Sequence, residues 1–175
     1  SGAGSVFTQG TGIHTFDATA TITLLSTDNT FDDLTISAGT STLGSAVVVT
    51  NALIATGGTL NTSAVSSFAV TAGPVTIGAG GTLTANASTI TVSGNWTNTA
   101  GTFNIGTSTV SITGSTILTA AGSGSINTFY NLTITGDTSL TNNAGIANVL
   151  TANASATLNS GCGSGYFLNG ATATP

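Results

Sequence analysis

The chain contains no lysine and no arginine, and its only acids are five aspartates, Asp17, Asp28, Asp32, Asp33 and Asp137. Charged residues make up 3% of its 175 positions, against about 25% in an ordinary soluble domain. His14 is the one side chain that can become cationic, so phosphate backbones cannot be neutralised and DNA and RNA are excluded as partners. Anionic lipid surfaces are excluded on the same ground. No apolar run approaches the roughly 18 residues of a spanning helix. The longest are of the kind Ala46-Val47-Val48-Val49, so no helical membrane insertion is expected. Cysteine occurs once, at Cys162, which rules out an intramolecular disulfide framework. Its glycine-rich setting makes Cys162 a small loop residue, with intermolecular linkage as the alternative. Methionine is absent and the chain opens Ser1-Gly2-Ala3-Gly4, the expectation for a processed mature chain or an excised segment.

What remains is rich in Thr, Ser, Val, Ile, Asn and Gly, a balance that favours strands and turns over helices. With 39% hydrophobic residues and a mean hydropathy of +0.42, the chain has the apolar surface that disordered chains lack. Its apolar residues alternate, as in Thr89-Ile90-Thr91-Val92-Ser93, Thr109-Val110-Ser111-Ile112-Thr113 and Asn131-Leu132-Thr133-Ile134-Thr135. Side chains two apart on a strand share a face. The spacing therefore predicts inward ladders of Leu34, Ile36, Leu60, Leu83, Ile90, Val92, Phe103, Val110, Ile112, Leu132, Ile134 and Leu158, in a two-layer core. Clusters such as Gly78-Ala79-Gly80-Gly81 supply the positive φ angles that turn the chain between strands.

The sequence also repeats itself. Thr30-Phe31-Asp32-Asp33-Leu34-Thr35-Ile36 recurs 98 positions on as Thr128-Phe129-Tyr130-Asn131-Leu132-Thr133-Ile134, and the likeness runs on to Thr59-Leu60-Asn61 and Thr157-Leu158-Asn159. Within this long unit, Gly58-Thr59-Leu60, Gly81-Thr82-Leu83 and Gly101-Thr102-Phe103 are separated by 23 and then 20 positions, the length of one solenoid coil. The expected organisation is a single domain over 1–175, with long repeats at about 5–102 and 103–160 and a glycine-rich tail at 161–175. The expected fold is all-β: a right-handed parallel β-helix (β-solenoid) of about eight coils and about 38 Å, with little or no helix. An antiparallel sandwich is the alternative, because alternation is common to both. No charged capping strand or amphipathic helix stands at either end, so the ends are expected to meet other coils, in a longer parent protein or head-to-tail with further copies.

The segments Gly94-Asn95-Trp96-Thr97-Asn98, Gly101-Thr102-Phe103, Gly106-Thr107-Ser108-Thr109-Val110 and Phe129-Tyr130-Asn131-Leu132-Thr133-Ile134 resemble the repeats of large bacterial surface proteins with parallel β-helices. More broadly they resemble adhesin and autotransporter passenger regions. The resemblance covers about Val6 to Asn159 and implies an extracellular location, secreted or at the cell surface, with a role as shaft, filament or adhesive surface. No catalytic motif of such proteins is matched.

Candidate sites are few. No enzyme activity, catalytic residue or cofactor is expected: His14 has only Asp17 near it in sequence, and no G-x-S-x-G surrounds any serine. A polysaccharide-active β-helix enzyme is the least favoured reading, since the paired carboxylates of glycoside hydrolysis would have to come from Asp28, Asp32 and Asp33, and the second copy replaces the Asp32-Asp33 pair with Tyr130-Asn131. The same three aspartates are a weak Ca²⁺ candidate, with a solvated turn as the plainer reading. Trp96, Phe103, Phe129 and Tyr130 are read as core, with Trp96 and Tyr130 the exceptions that could instead stack on a sugar. Sequons occur at Asn61, Asn86, Asn95, Asn131 and Asn153, which makes glycans possible partners. Thr-x-Thr pairs at Thr21-Ile22-Thr23, Thr82-Leu83-Thr84, Thr89-Ile90-Thr91 and Thr133-Ile134-Thr135 raise ice binding as the alternative function, although the pairs are not spaced at one per coil throughout.

Overall fold

The computed structural model describes residues 10–23, 30–119, 127–141 and 144–153, together with the backbone of three later strands. Each turn of the chain lays down short strands on successive faces. The first comprises β1 (Ile13–Phe16), β2 (Ala20–Ile22) and β3 (Thr30–Phe31), the second β4 (Asp33–Ile36), β5 (Thr40–Leu43) and β6 (Val47–Val49). The third has β7 (Leu53–Ala55), β8 (Thr59–Asn61) and β9 (Val70–Ala72), the fourth β10 (Val75–Ile77), β11 (Thr82–Thr84) and β12 (Thr89–Val92). The fifth has β13 (Trp96–Asn98), β14 (Thr102–Asn104) and β15 (Thr109–Ile112). Then follow β16 (Thr116–Thr119), β17 (Asn127–Ile134), β18 (Thr138–Leu140), β19 (Ala144–Ala152), β20 (Leu158–Ser160), β21 (Tyr166–Leu168) and β22 (Thr172–Thr174).

These strands form three sheets. Sheet A stacks β1, β4, β7, β10, β13, β16, β18 and β20; sheet B stacks β2, β5, β8, β11 and β14; sheet C runs from β3 through β6, β9, β12, β15, β17 and β19 to β21, with β22 also on β19. Among the described residues every pairing is parallel, which removes the antiparallel sandwich. The architecture is an all-β parallel β-solenoid of about six turns, and no helix occurs among the described residues.

Two expectations need correction. The described stack has about six turns rather than about eight, because the larger figure divided the whole length by one coil. The core is enclosed by three sheets rather than two layers. Strands of three or four residues need a corner after each, and about 20 residues hold three such strands with their corners.

Inward ladders fill the interior. Leu34, Leu53, Val75, Trp96, Leu118 and Leu140 form one column of sheet A, and Val47, Val70, Ile90, Val110, Leu132 and Leu150 one of sheet C; all are buried. Ile36, Leu60, Leu83, Val92, Ile112 and Ile134 are buried as well. Phe103 is partly buried and packs against this core from β14, the edge strand of sheet B. Leu158 lies in β20, but its side chain falls outside the described residues. Burying a Leu or Ile side chain contributes about 1.5–3 kcal/mol, so the ladders dominate the stability.

The corners are held by hydroxyls. Ser37, Thr50, Ser93, Thr113, Thr135 and Thr141 each donate both their backbone N–H and their side-chain O–H to one carbonyl a turn earlier, those of Phe16, Phe31, Ala72, Val92, Ile112 and Leu118 respectively. The partners stand 19 to 23 residues apart, the same period read from the glycine motifs. Glycine is required where coils approach most closely. A Cβ on the buried Gly81 would overlap the Ala55 carbonyl, and one on Gly106, at φ +52°, the Asn86 carbonyl.

The long sequence repeat does not keep its face. Leu34 and Ile36 lie in sheet A, whereas their counterparts Leu132 and Ile134 lie in sheet C; Leu60 of sheet B corresponds to Leu158 of sheet A. An offset of 98 is not a whole number of coils, so the second copy is carried round by one face.

Candidate functional site

The residues singled out for chemistry are dispersed. His14 is half-buried in the Leu34 column and meets Phe31 edge-on at 5.3 Å, while Asp17 is exposed beyond the strand end. Asp32 and Asp33 are used within the stack: the Asp33 carboxylate accepts the Ala52 N–H at 2.9 Å, and Asp32 meets the Thr50 hydroxyl at 3.5 Å. Asn95 repeats the Asp33 arrangement at the matching place three turns on, accepting the Ile117 N–H at 3.0 Å. These oxygens bridge consecutive coils. Asp28 and Cys162 lie outside the described residues, and among those described no three His, Cys, Asp or Glu side chains come together as a metal site.

Trp96 is fully buried, which corrects its reading as a candidate sugar platform. Its ring meets Phe103 at 4.9 Å and Phe129 at 5.5 Å, and the two phenylalanines meet at 5.9 Å. Trp96 belongs to the inward column of sheet A, where β-strand alternation turns Asn95 and Thr97 outward in its place. Tyr130 is half-buried.

The sequons separate by environment. Asn86 spends its amide N–H on Asn61 and Thr62, and Asn131 spends its own on Thr109. The Asn61 amide oxygen accepts both the Ser63 N–H and the Asn86 amide. Asn95 and Asn153 are exposed.

Among the described residues the most uniform polar surface is the outer face of sheet B. Thr40, Thr59, Thr82 and Thr102 stand in a single column, and Thr19 extends it one turn further, its hydroxyl accepting the Thr40 N–H at 3.3 Å. Two residues on, Thr21, Thr42, Asn61, Thr84 and Asn104 form a second column. The Asn104 amide donates to the Thr84 hydroxyl at 3.1 Å. Every turn of sheet B therefore presents Thr-x-Thr or Thr-x-Asn outward, with Ala20, Ser41, Leu60, Leu83 and Phe103 between the columns pointing in.

Strict Thr pairs do not recur once per coil, since Asn61 and Asn104 replace the second Thr on two of the five turns, but a Thr-Thr or Thr-Asn pair does. Searching for Thr-x-Thr strings joins pairs from sheets B and C and passes over Thr19-Ala20-Thr21 and Thr40-Ser41-Thr42, as well as the turns where Asn replaces the second Thr. Aligning the chain on the Gly-Thr-Leu positions would have found it. The other faces are less uniform: sheet A places Ile54 among its outward threonines, and sheet C places Val48 and Val149.

Fold and surface together define the class as a parallel β-solenoid. Comparison with protein-family models, curated proteins and solved structures found no match.

Proposed function

We propose that the protein is a structural module of the cell exterior, a building block of a filament, shaft or adhesin whose coils stack on those of neighbours. The observation that carries this reading is the parallel pairing along three sheets, with most corner hydrogen bonds and hydroxyl bridges linking one coil to the next. Such a stack has no inherent length, since each coil presents to the next the same unpaired backbone groups that the last presented to it. The neighbours would be further copies or adjoining coils of a longer parent protein.

An extracellular setting fits a chain without lysine or arginine, which offers trypsin-like proteases no cleavage site. Asn95 and Asn153 are the sequons best placed to carry glycans. Negative-stain images of purified protein should show rods or fibres that lengthen with concentration. Monodisperse particles of one-chain size at high concentration would contradict end-to-end assembly.

A further inference from the structure

We infer that the outer face of sheet B is an ice-binding surface, a property beyond the structural role proposed above and independent of it. The face carries ten outward side chains on five strands, eight Thr and two Asn, with no charge and no aromatic ring among them. Neighbouring strands lie about 4.8 Å apart and residues two apart on a strand about 6.7 Å, so the eight hydroxyls and two amides stand on a two-column lattice about 19 Å long and about 6.7 Å wide. The register between these five strands holds without a shift, unlike that between β17 and β19, where it slips between Phe129 and Asn131.

The partner follows from the periodicity. A folded protein partner does not repeat at such a spacing in two directions, whereas a crystal does. Charges would gather water radially about themselves and break a lattice of ordered waters; sheet B has none facing out. Crystalline polysaccharides also repeat, but their sugar rings are held by exposed aromatic faces, and the only aromatic residue of these strands, Phe103, turns toward Trp96 and Phe129. β-Branched Thr has few χ1 states. Each hydroxyl and γ-methyl is therefore held in place before water arrives, so ordering a water layer costs little side-chain entropy. Water bridging such fixed groups is enthalpically close to a direct hydrogen bond.

The test uses the full chain with ice itself as the probe, measuring ice-crystal shaping and inhibition of recrystallisation at micromolar protein. Wild-type protein should facet growing crystals and suppress coarsening. Thr82→Tyr, which places a bulky ring in the middle of the array, should abolish both, with circular dichroism and melting used to verify the fold. Thr82→Val keeps the shape at the same position and should weaken activity without abolishing it. Thr76→Tyr, on the outer side of sheet A, should leave activity unchanged. Absence of activity in the wild-type protein overturns the inference, as does equal loss in Thr76→Tyr and Thr82→Tyr. So does co-sedimentation with microcrystalline cellulose or chitin, or self-association sensitive to Thr82→Tyr, when either appears without any effect on ice. Fibre formation is scored separately by microscopy, so failure of one reading leaves the other standing.

Discussion

At the scale of single residues, position within a coil decides consequence more than residue type does. Leu83 and Thr82 are adjacent, but one is buried in the core and the other lies outward on sheet B. Leu83→Ala should cost about 2–5 kcal/mol through the cavity it leaves, while Thr82→Ala should stay within about 0.5 kcal/mol; denaturant titration of both variants checks the contrast. Gly106→Ala meets a left-handed backbone and the Asn86 carbonyl together, and should lower stability by about 1–3 kcal/mol in the same assay. The corner hydroxyls predict a smaller effect. Thr135→Val removes one of two donors to the Ile112 carbonyl, whose backbone partner remains, so the loss should be about 0.5 kcal/mol.

At the scale of elements, the unit is the coil rather than the strand. A three-residue strand cannot bury its apolar residue alone, and its stability comes from the strands above and below. Inserting a second copy of residues 75–95 after Asn95 adds one strand to each sheet and continues every ladder. The variant should fold, melt at or above the parental temperature and lengthen by about 4.8 Å in small-angle scattering. Unfolding, or a lengthening that requires a separate domain, would count against an interchangeable coil. Trp96 reports on the same stack. As the single tryptophan, buried against Phe103 and Phe129, it should emit at short wavelength in the native protein and shift to the red in step with the loss of β-sheet circular dichroism.

At the scale of the whole molecule, the absence of lysine and arginine means that no carboxylate can pair with a basic side chain other than that of His14. Stability should therefore change by less than about 1 kcal/mol between low and high sodium chloride, since salt has few attractive ion pairs to screen. A large loss of stability in salt would reveal an electrostatic contribution that the composition does not provide.

The amino-acid sequence alone determined an all-β fold and pointed to coils of about 20 residues, because alternation gives strands and a recurring Gly-Thr-Leu gives the coil length, while the parallel pairings removed the antiparallel alternative. A stack of coils is the arrangement in which each of those apolar positions meets its like. It also made most of the core legible, since burial follows directly from period-two patterning. What only the tertiary structure decided is which residues share a face. The 98-residue repeat moves Leu34 and Leu132 onto different sheets, Trp96 turns inward among flanking polar residues, and scattered Thr and Asn fall into two columns on sheet B. The physical reason is that corners of unequal length set the phase between successive strands. That phase depends on how coils dock on one another, so no local pattern of residues carries it.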